Sequence, residues 1–388
     1  MPRALVTPIC LWLASLCGAT AQTHAEDSSG KCLVYIGAYS GEMNRGIHAY
    51  RLDLANGKCT PLGLAAEVKN PSFLAVHPNR KFLYSVSEIS DFDGKPSGGV
   101  SGFAIEPKSG KLTLLNHQSS RGAGPCHLVV DRSGQSVLVA NYGGGSIAAL
   151  PIDSHGKLSP AASAIQHSGS SVNPARQEGP HAHSINVSPD NRFAVAADLG
   201  LDKVLVYRFD PATSKLTPND PAAATVKPGS GPRHFAFHPT GRFAYVINEI
   251  LCTVTAFAYD AQRGRLTELQ TISTLPEAVP LKPEYSTAEI QVHPSGKFAY
   301  GSNRGHHSIT VFVIDPKQGT LRWVDNTSTQ GKTPRGFGID PTGRFLLAGN
   351  QDSHTVVVFR IDETTGRLAA TGEKLDVGSP VCVKFVVE

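Results

Sequence analysis

At 388 residues and with 40% hydrophobic residues, the chain is long enough to bury a large core. Charged residues make up 18% and the formal charge is only +4, spread thinly. No run of Lys or Arg provides a nucleic-acid or membrane-surface footprint, so those partners are not expected.

Taken in chain order, the first stretch reads as a targeting segment. Arg3 supplies a minimal positive start, and Ala4 to Leu16 is apolar but too short to span a bilayer and interrupted by Pro8. Ala19-Thr20-Ala21 offers a small-x-small cleavage site, which places the cut before Gln22. Cys17 follows Leu16, where a lipidation site would want a small residue, so lipidation is the weaker reading. Residues 1–21 are therefore expected to be a signal peptide, residues 22–30 a polar disordered linker, and residues 31–388 the folded domain. A periplasmic or secreted protein, with no membrane association after cleavage, follows from that reading.

Seven cysteines become five after the cut, an odd number at irregular spacing, which is no disulfide framework. Buried thiols are the expectation.

From residue 77 onward a strand–turn–strand unit recurs. Its second strands are HPNRKFLYSVSE from His77, DRSGQSVLVANY from Asp131, SPDNRFAVAADL from Ser188, HPTGRFAYVINE from His238, HPSGKFAYGSNR from His293 and DPTGRFLLAGNQ from Asp340. The copies start 47 to 57 residues apart. Between them lies a second unit with an Asp-x-x-x-Gly-x-Leu turn, as in VTAFAYDAQRGRLTEL from Val254 and ITVFVIDPKQGTLRWV from Ile309. Each period thus supplies four short antiparallel strands and no amphipathic helix. Four-stranded sheets at a period near 50 residues predict an all-β, seven-bladed β-propeller.

The count closes at the termini. CLVYIGAY from Cys32 is a second strand lacking a first, and SPVCVKFVV from Ser379 is a first strand lacking a second. One composite blade would join them and hide the sheet edges. In that register Cys382 lies opposite about Ile36. Cys32 is then about 13 Å away at roughly 3.3 Å per residue, too far for a disulfide.

The start of each first strand and the end of each second strand open on one face. The early first-strand positions are Ser72, Cys126, His183, Arg233, Ala288 and Arg335, followed by Phe73, His127, Ser184, His234, Glu289 and Gly336. The second strands end in Ser87-Glu88, Asn141-Tyr142, Asp198-Leu199, Asn248-Glu249, Asn303-Arg304 and Asn350-Gln351. Apolar positions repeat from blade to blade, whereas these diverge into Arg, His and Glu, which marks a site. His181 and His183 share one side of a strand. Their spacing would suit a metal, but no third ligand is recognisable, so channel-lining histidines are favoured. The Asn series reads mainly as amides tying down strand ends. Arg233, Arg304 and Arg335 converging on one mouth would form an anion pocket.

The motifs YIGAY, GPHAH, GPRH, HPTGRFAYVINE, AEIQVHPSGKFAY, SNRG and TPRGF resemble, in this order, the seven-bladed propeller lactonase family, which includes propeller-type 6-phosphogluconolactonases and fungal carboxy-muconate cyclases. The resemblance covers residues 31 to 388. It implies a lactone hydrolase with no organic cofactor and no metal, acting on a small anionic or sugar lactone. It also implies a catalytic set of His183 (or His181), Arg233, Glu249 and Arg304. His181, His234, Glu289, Asn303 and Arg335 are the expected substrate-binding residues. No Gly-x-Ser-x-Gly elbow is present, so a nucleophilic serine is not expected. Glu249 or His183 would serve as general base if held near a working pKa. Alternatives are a lactonising cyclase, a metal-dependent lactonase, or an exported propeller that binds a partner without catalysis. Export itself departs from the intracellular sugar-phosphate lactonases and leaves the physiological substrate open.

Overall fold

The computed structural model describes residues 1–2 and 30–388. The expected signal peptide and most of the expected linker lie outside the described residues. Among the described residues the strands form seven four-stranded antiparallel sheets, and the only helical turn is Gln351–Ser353. No helix there is long and apolar enough to cross a membrane.

In blades two to seven the strands follow chain order across the sheet. Their inner strands are Leu74–Val76, Pro125–Val130, Ala182–Val187, Pro232–Phe237, Ser286–Val292 and Pro334–Ile339. The first blade is composite: the C-terminal strand Pro380–Val387 pairs with Lys31–Ala38 as its inner strand. Cys382 lies opposite Gly37, one residue from the sequence-based register, while Cys32 faces Val387. All five described cysteines are free and buried.

The blades pack through a repeated contact that explains the turn glycine. In each of five interfaces a second-strand phenylalanine lies under the turn glycine of the next blade: Phe82 under Gly156, Phe193 under Gly264, Phe243 under Gly319, Phe298 under Gly366 and Phe345 under Gly57. A Cβ on Gly319 would lie 2.2 Å from Phe243, and its φ of +73° is a region side chains avoid. Tyr245 Oη then donates to the Gly319 carbonyl at 3.0 Å, and Tyr84 and Tyr300 repeat the bond to Gly156 and Gly366. The turn histidines clasp neighbours too: His77, His238 and His293 bond the carbonyls of Gly134, Gly296 and Gly343 at 2.8–2.9 Å.

Candidate active site

Six of the seven blades carry a register shift between the first and second strands. The unpaired residue is Cys126, His183, Arg233 and Arg335 in four of them, and Ala288 with Glu289 face a single partner position in a fifth. A bulge re-aims a side chain and increases local twist. These irregularities turn Cys126, His183 and Arg335 toward one space and Arg233 onto Glu249 behind it.

That space is a cavity of about 310 Å³ lined by Glu88, Cys126, Tyr142, Arg176, His183, Glu249, Ser286, Arg304 and Arg335. Glu249 is its centre. Arg176 Nη2 donates to Glu249 Oε1 at 2.6 Å, while Arg233 Nε and Arg304 Nη2 reach Oε2, each at 2.9 Å. His183 Nε2 stands 3.9 Å from the same Oε2. Arg233 is buried and also donates to the Ala288 carbonyl at 2.6 Å; Arg304 donates to that of Thr287 at 2.7 Å. Among the described residues, Arg304 Nε is buried with no hydrogen-bond partner. Arg335 Nη2 donates to Tyr39 Oη at 3.0 Å, and that hydroxyl donates to Glu88 at 3.0 Å.

Three guanidinium groups, Arg176, Arg304 and Arg335, thus line the cavity with two carboxylates, Glu88 and Glu249, and a fourth, Arg233, stands buried behind Glu249, leaving a net positive site. Burial by itself would raise the Glu249 carboxyl pKa, but Arg304, Arg233 and Arg176 outweigh it and hold the group well below the ordinary carboxylate range. Burial, followed by Arg233, His234 and Arg335, pushes His183 well below the usual histidine value, so its ring is neutral at pH 7. Arg233 falls to about 10 through burial and the nearby Arg335 and Arg304, which still leaves it charged at neutral pH. Burial, then Glu88, raises the Cys126 thiol; it stays protonated and contacts the His183 carbonyl at 3.3 Å.

The structure brings His183, Arg233, Glu249, Arg304 and Arg335 together. Four other expected residues stand elsewhere. His181 stacks on Tyr142 at 4.5 Å and turns Nε2 toward Glu178, so it diverges from His183 and the two do not form a metal pair. Among the described residues no three His, Cys, Asp or Glu side chains are grouped to hold a metal. His234 lies one step deeper along its strand, with Nδ1 3.2 Å from Glu289 Oε2. Glu289 lines a second cavity of about 330 Å³ further down the channel, with His127 and Lys384. Asn303 is fully buried, its amide spent on Thr274, Ser308 and Thr310, and does not reach the cavity.

Five wall residues, Glu88, Cys126, Tyr142, Arg176 and Ser286, were missed as site residues by sequence reasoning. Glu88 and Tyr142 stood at second-strand ends but carried no distinctive motif. Arg176 lies in the connection between Ser163–Gln166 and Ala182–Val187, outside the repeat, where no alignment of blades could register it.

Residues 33–385 match the family model described as lactonase, 7-bladed beta-propeller. The chain is 38% identical over 356 residues to the 6-phosphogluconolactonase of Bacillus subtilis, covering 92% of this chain and 99% of that protein. It is 34% identical to the 6-phosphogluconolactonase of Formosa agariphila, over 79% of this chain and 86% of the relative. Among solved structures, the periplasmic gluconolactonase of Pseudomonas aeruginosa superposes with a TM-score of 0.85 at 35% identity, covering 92% of this chain and 99% of that one. Together with the ring of seven sheets and the converging cavity, these likenesses establish that the chain belongs to the seven-bladed β-propeller lactonase family and is a lactonase, a carboxylic-ester hydrolase.

Proposed function

We propose that this lactonase opens a sugar lactone bearing an anionic group, a phosphorylated or carboxylated aldonolactone of the 6-phosphogluconolactone kind. The observation that carries this reading is the charge imbalance of the site: Arg176, Arg304 and Arg335 in the cavity wall and Arg233 buried behind Glu249, against the carboxylates of Glu249 and Glu88. Low-dielectric walls focus such a field onto a small anion. The relatives named 6-phosphogluconolactonase support the same substrate class.

His183 is the base in this scheme. Glu249 is a poor proton acceptor because three arginines stabilise its ionised form. The neutral His183 takes a proton from water as the water oxygen bonds to the lactone carbonyl carbon. Glu249, 3.9 Å from Nε2, stabilises the imidazolium. Arg304, whose guanidinium lines the cavity, faces the tetrahedral oxyanion. On collapse the ring C–O bond breaks, and the imidazolium returns its proton to the departing ring oxygen. The product is the open hydroxy acid.

The leading segment supports export to the periplasm or beyond, as does the likeness to the periplasmic Pseudomonas gluconolactonase. N-terminal sequencing of the secreted or periplasmic fraction should begin at Gln22. Purified protein assayed on a panel of neutral and anionic lactones, with and without chelator, tests the reaction. His183→Gln should lower kcat by about 10²–10⁴-fold. Full activity in a Glu249→Gln, Arg304→Ala double variant would overturn the assignment.

A further inference from the structure

We propose that Arg176 is the specificity residue of this site: it exchanges Glu249 for the anionic group of the substrate. This deepens the anionic-lactone reading and rests on it.

The four arginines are not equivalent. Arg233 is only 2% exposed and Arg304 14%, and each divides its donors between Glu249 and a backbone carbonyl. Arg335 is held by the Tyr39 hydroxyl, with its guanidinium 5.4 Å from the ring centre. These three are held in place, Arg304 and Arg335 in the cavity wall and Arg233 buried behind it. The Arg176 side chain is 42% exposed at the rim. Beyond Glu249 its guanidinium has only the Tyr142 hydroxyl, at 3.5 Å.

Its backbone, by contrast, is anchored. Gln177, fully buried, donates to the Leu199 carbonyl at 2.8 Å and accepts from Asn173 N–H at 3.1 Å. Ser171 Oγ donates to Asp202 Oδ2 at 2.6 Å, and Asp202 in turn receives the N–H groups of Gly229 and Gly231 at 2.7 Å. A long, flexible cation on a fixed base can redirect its head without moving the loop.

The exchange is also balanced in charge. Arg176 holds Oε1 of Glu249, whereas Arg233 and Arg304 hold Oε2. When Arg176 leaves, the carboxylate keeps two guanidinium partners and is not stranded. A phosphate or carboxylate at the rim offers Arg176 a planar, charge-assisted contact of the same kind as the one it gives up. Release of Oε1 removes one of the charges that hold Glu249 weakly basic, and so strengthens it as the partner of the His183 imidazolium. Recognition of the distant anion is thereby coupled to the proton transfer. The substrate's binding energy appears in the chemical step as well as in affinity.

The test is the ratio of kcat/KM for 6-phosphoglucono-lactone to that for neutral glucono-lactone, in the intact protein and in Arg176→Gln and Arg176→Lys. Arg176→Gln should reduce the ratio by roughly ten- to a hundredfold, the worth of one charge-assisted contact, with part of the loss in kcat. Arg176→Lys should recover some affinity without the bidentate geometry. An intact protein that shows no preference for the phosphorylated lactone overturns the anionic-substrate reading itself. A preference that survives in Arg176→Gln, in a protein whose melting temperature is near that of the parent, overturns only the role given to Arg176.

Discussion

Glu249 sets the charge balance of the cavity, and its removal should be felt in both stability and ligand response. Glu249→Gln leaves three guanidinium groups without their common counter-ion. Breaking a buried ion network in this way costs about 3–5 kcal/mol, readable as a lower melting temperature. In the intact protein, phosphate at 100 times its Kd should add about 2.7 kcal/mol of stability. Arg176→Gln should lose most of that gain. It also controls for general stabilisation by excluded salts. Identical responses of the two proteins would mean that Arg176 is not in the anion site.

Three neighbouring imidazoles make a separate prediction about pH. His127, His183 and His234 are each held well below the ordinary value of 6.5, first by burial and then by nearby cations. Below about pH 6.5 the unfolded chain takes up these protons and the native state does not. Their contribution is therefore fully present above that pH and declines as pH falls beneath it. Each can add a slope of up to about 1.4 kcal/mol per pH unit. Glu249, with a depressed pKa, acts in the same direction only once the pH drops below its unfolded value of 4.5. Glu289, raised by burial despite Lys384 and His127, acts the opposite way and favours the folded state in acid. Melting temperatures should fall between about pH 7 and pH 5, and His234→Gln should flatten the decline. A flat profile in the parent protein would overturn the assignment of neutral buried rings.

At the scale of the element, the blade is a four-stranded sheet whose two irregular features do most to shape the molecule. The turn glycine between third and fourth strands is needed for its positive φ and for the absence of a Cβ against the preceding blade's phenylalanine. Gly319→Ala should therefore cost about 1–3 kcal/mol from overpacking, with backbone strain in addition. Gly41→Ala is the control: nothing lies within 4 Å of the added Cβ, and its φ is not in the left-handed region. Equal denaturant midpoints for the two variants would show that the contact is not limiting. The bulge at the start of the inner strand is the second feature. Because it inserts one unpaired residue, it gives a side chain to the channel without breaking the remaining ladder, and different residue types can occupy it from blade to blade.

At the scale of the whole molecule, closure depends on a few residues at the C-terminus. The strand Pro380–Val387 completes the first blade, and Glu388 forms an ion pair with Arg51 at 2.8 Å. Removing residues 379–388 would expose Lys31–Ala38 as a raw sheet edge and open the ring. The truncated chain should fail to fold stably. A cooperative melt near the temperature of the intact protein would contradict this. The same closure carries Phe345 of the last blade under Gly57 of the first, so the ring is sealed by packing as well as by hydrogen bonds.

The repeat by itself determined the architecture. A hairpin that recurs with its apolar positions in phase can only be satisfied by stacking copies, and the unmatched strands at the two ends specified how the circle closes. It also placed His183, Arg233, Glu249, Arg304 and Arg335 on one face of the ring, because positions that break a repeat stand out against those that keep it. Tertiary structure decided which of these act together and in what charge state. His234 and Glu289 are adjacent in sequence to residues of the mouth but lie one step further down the channel. Asn303, next to Arg304, is consumed by strand-end bonds. That three guanidinium groups share Glu249 emerges only in the closed ring, and Arg176 stands outside the repeat, because its partner is 73 residues away and its loop belongs to no blade. Periodicity encodes what is repeated along the chain; a unique contact between distant loops leaves no period, and the burial and charges that set a pKa exist only once the ring has closed.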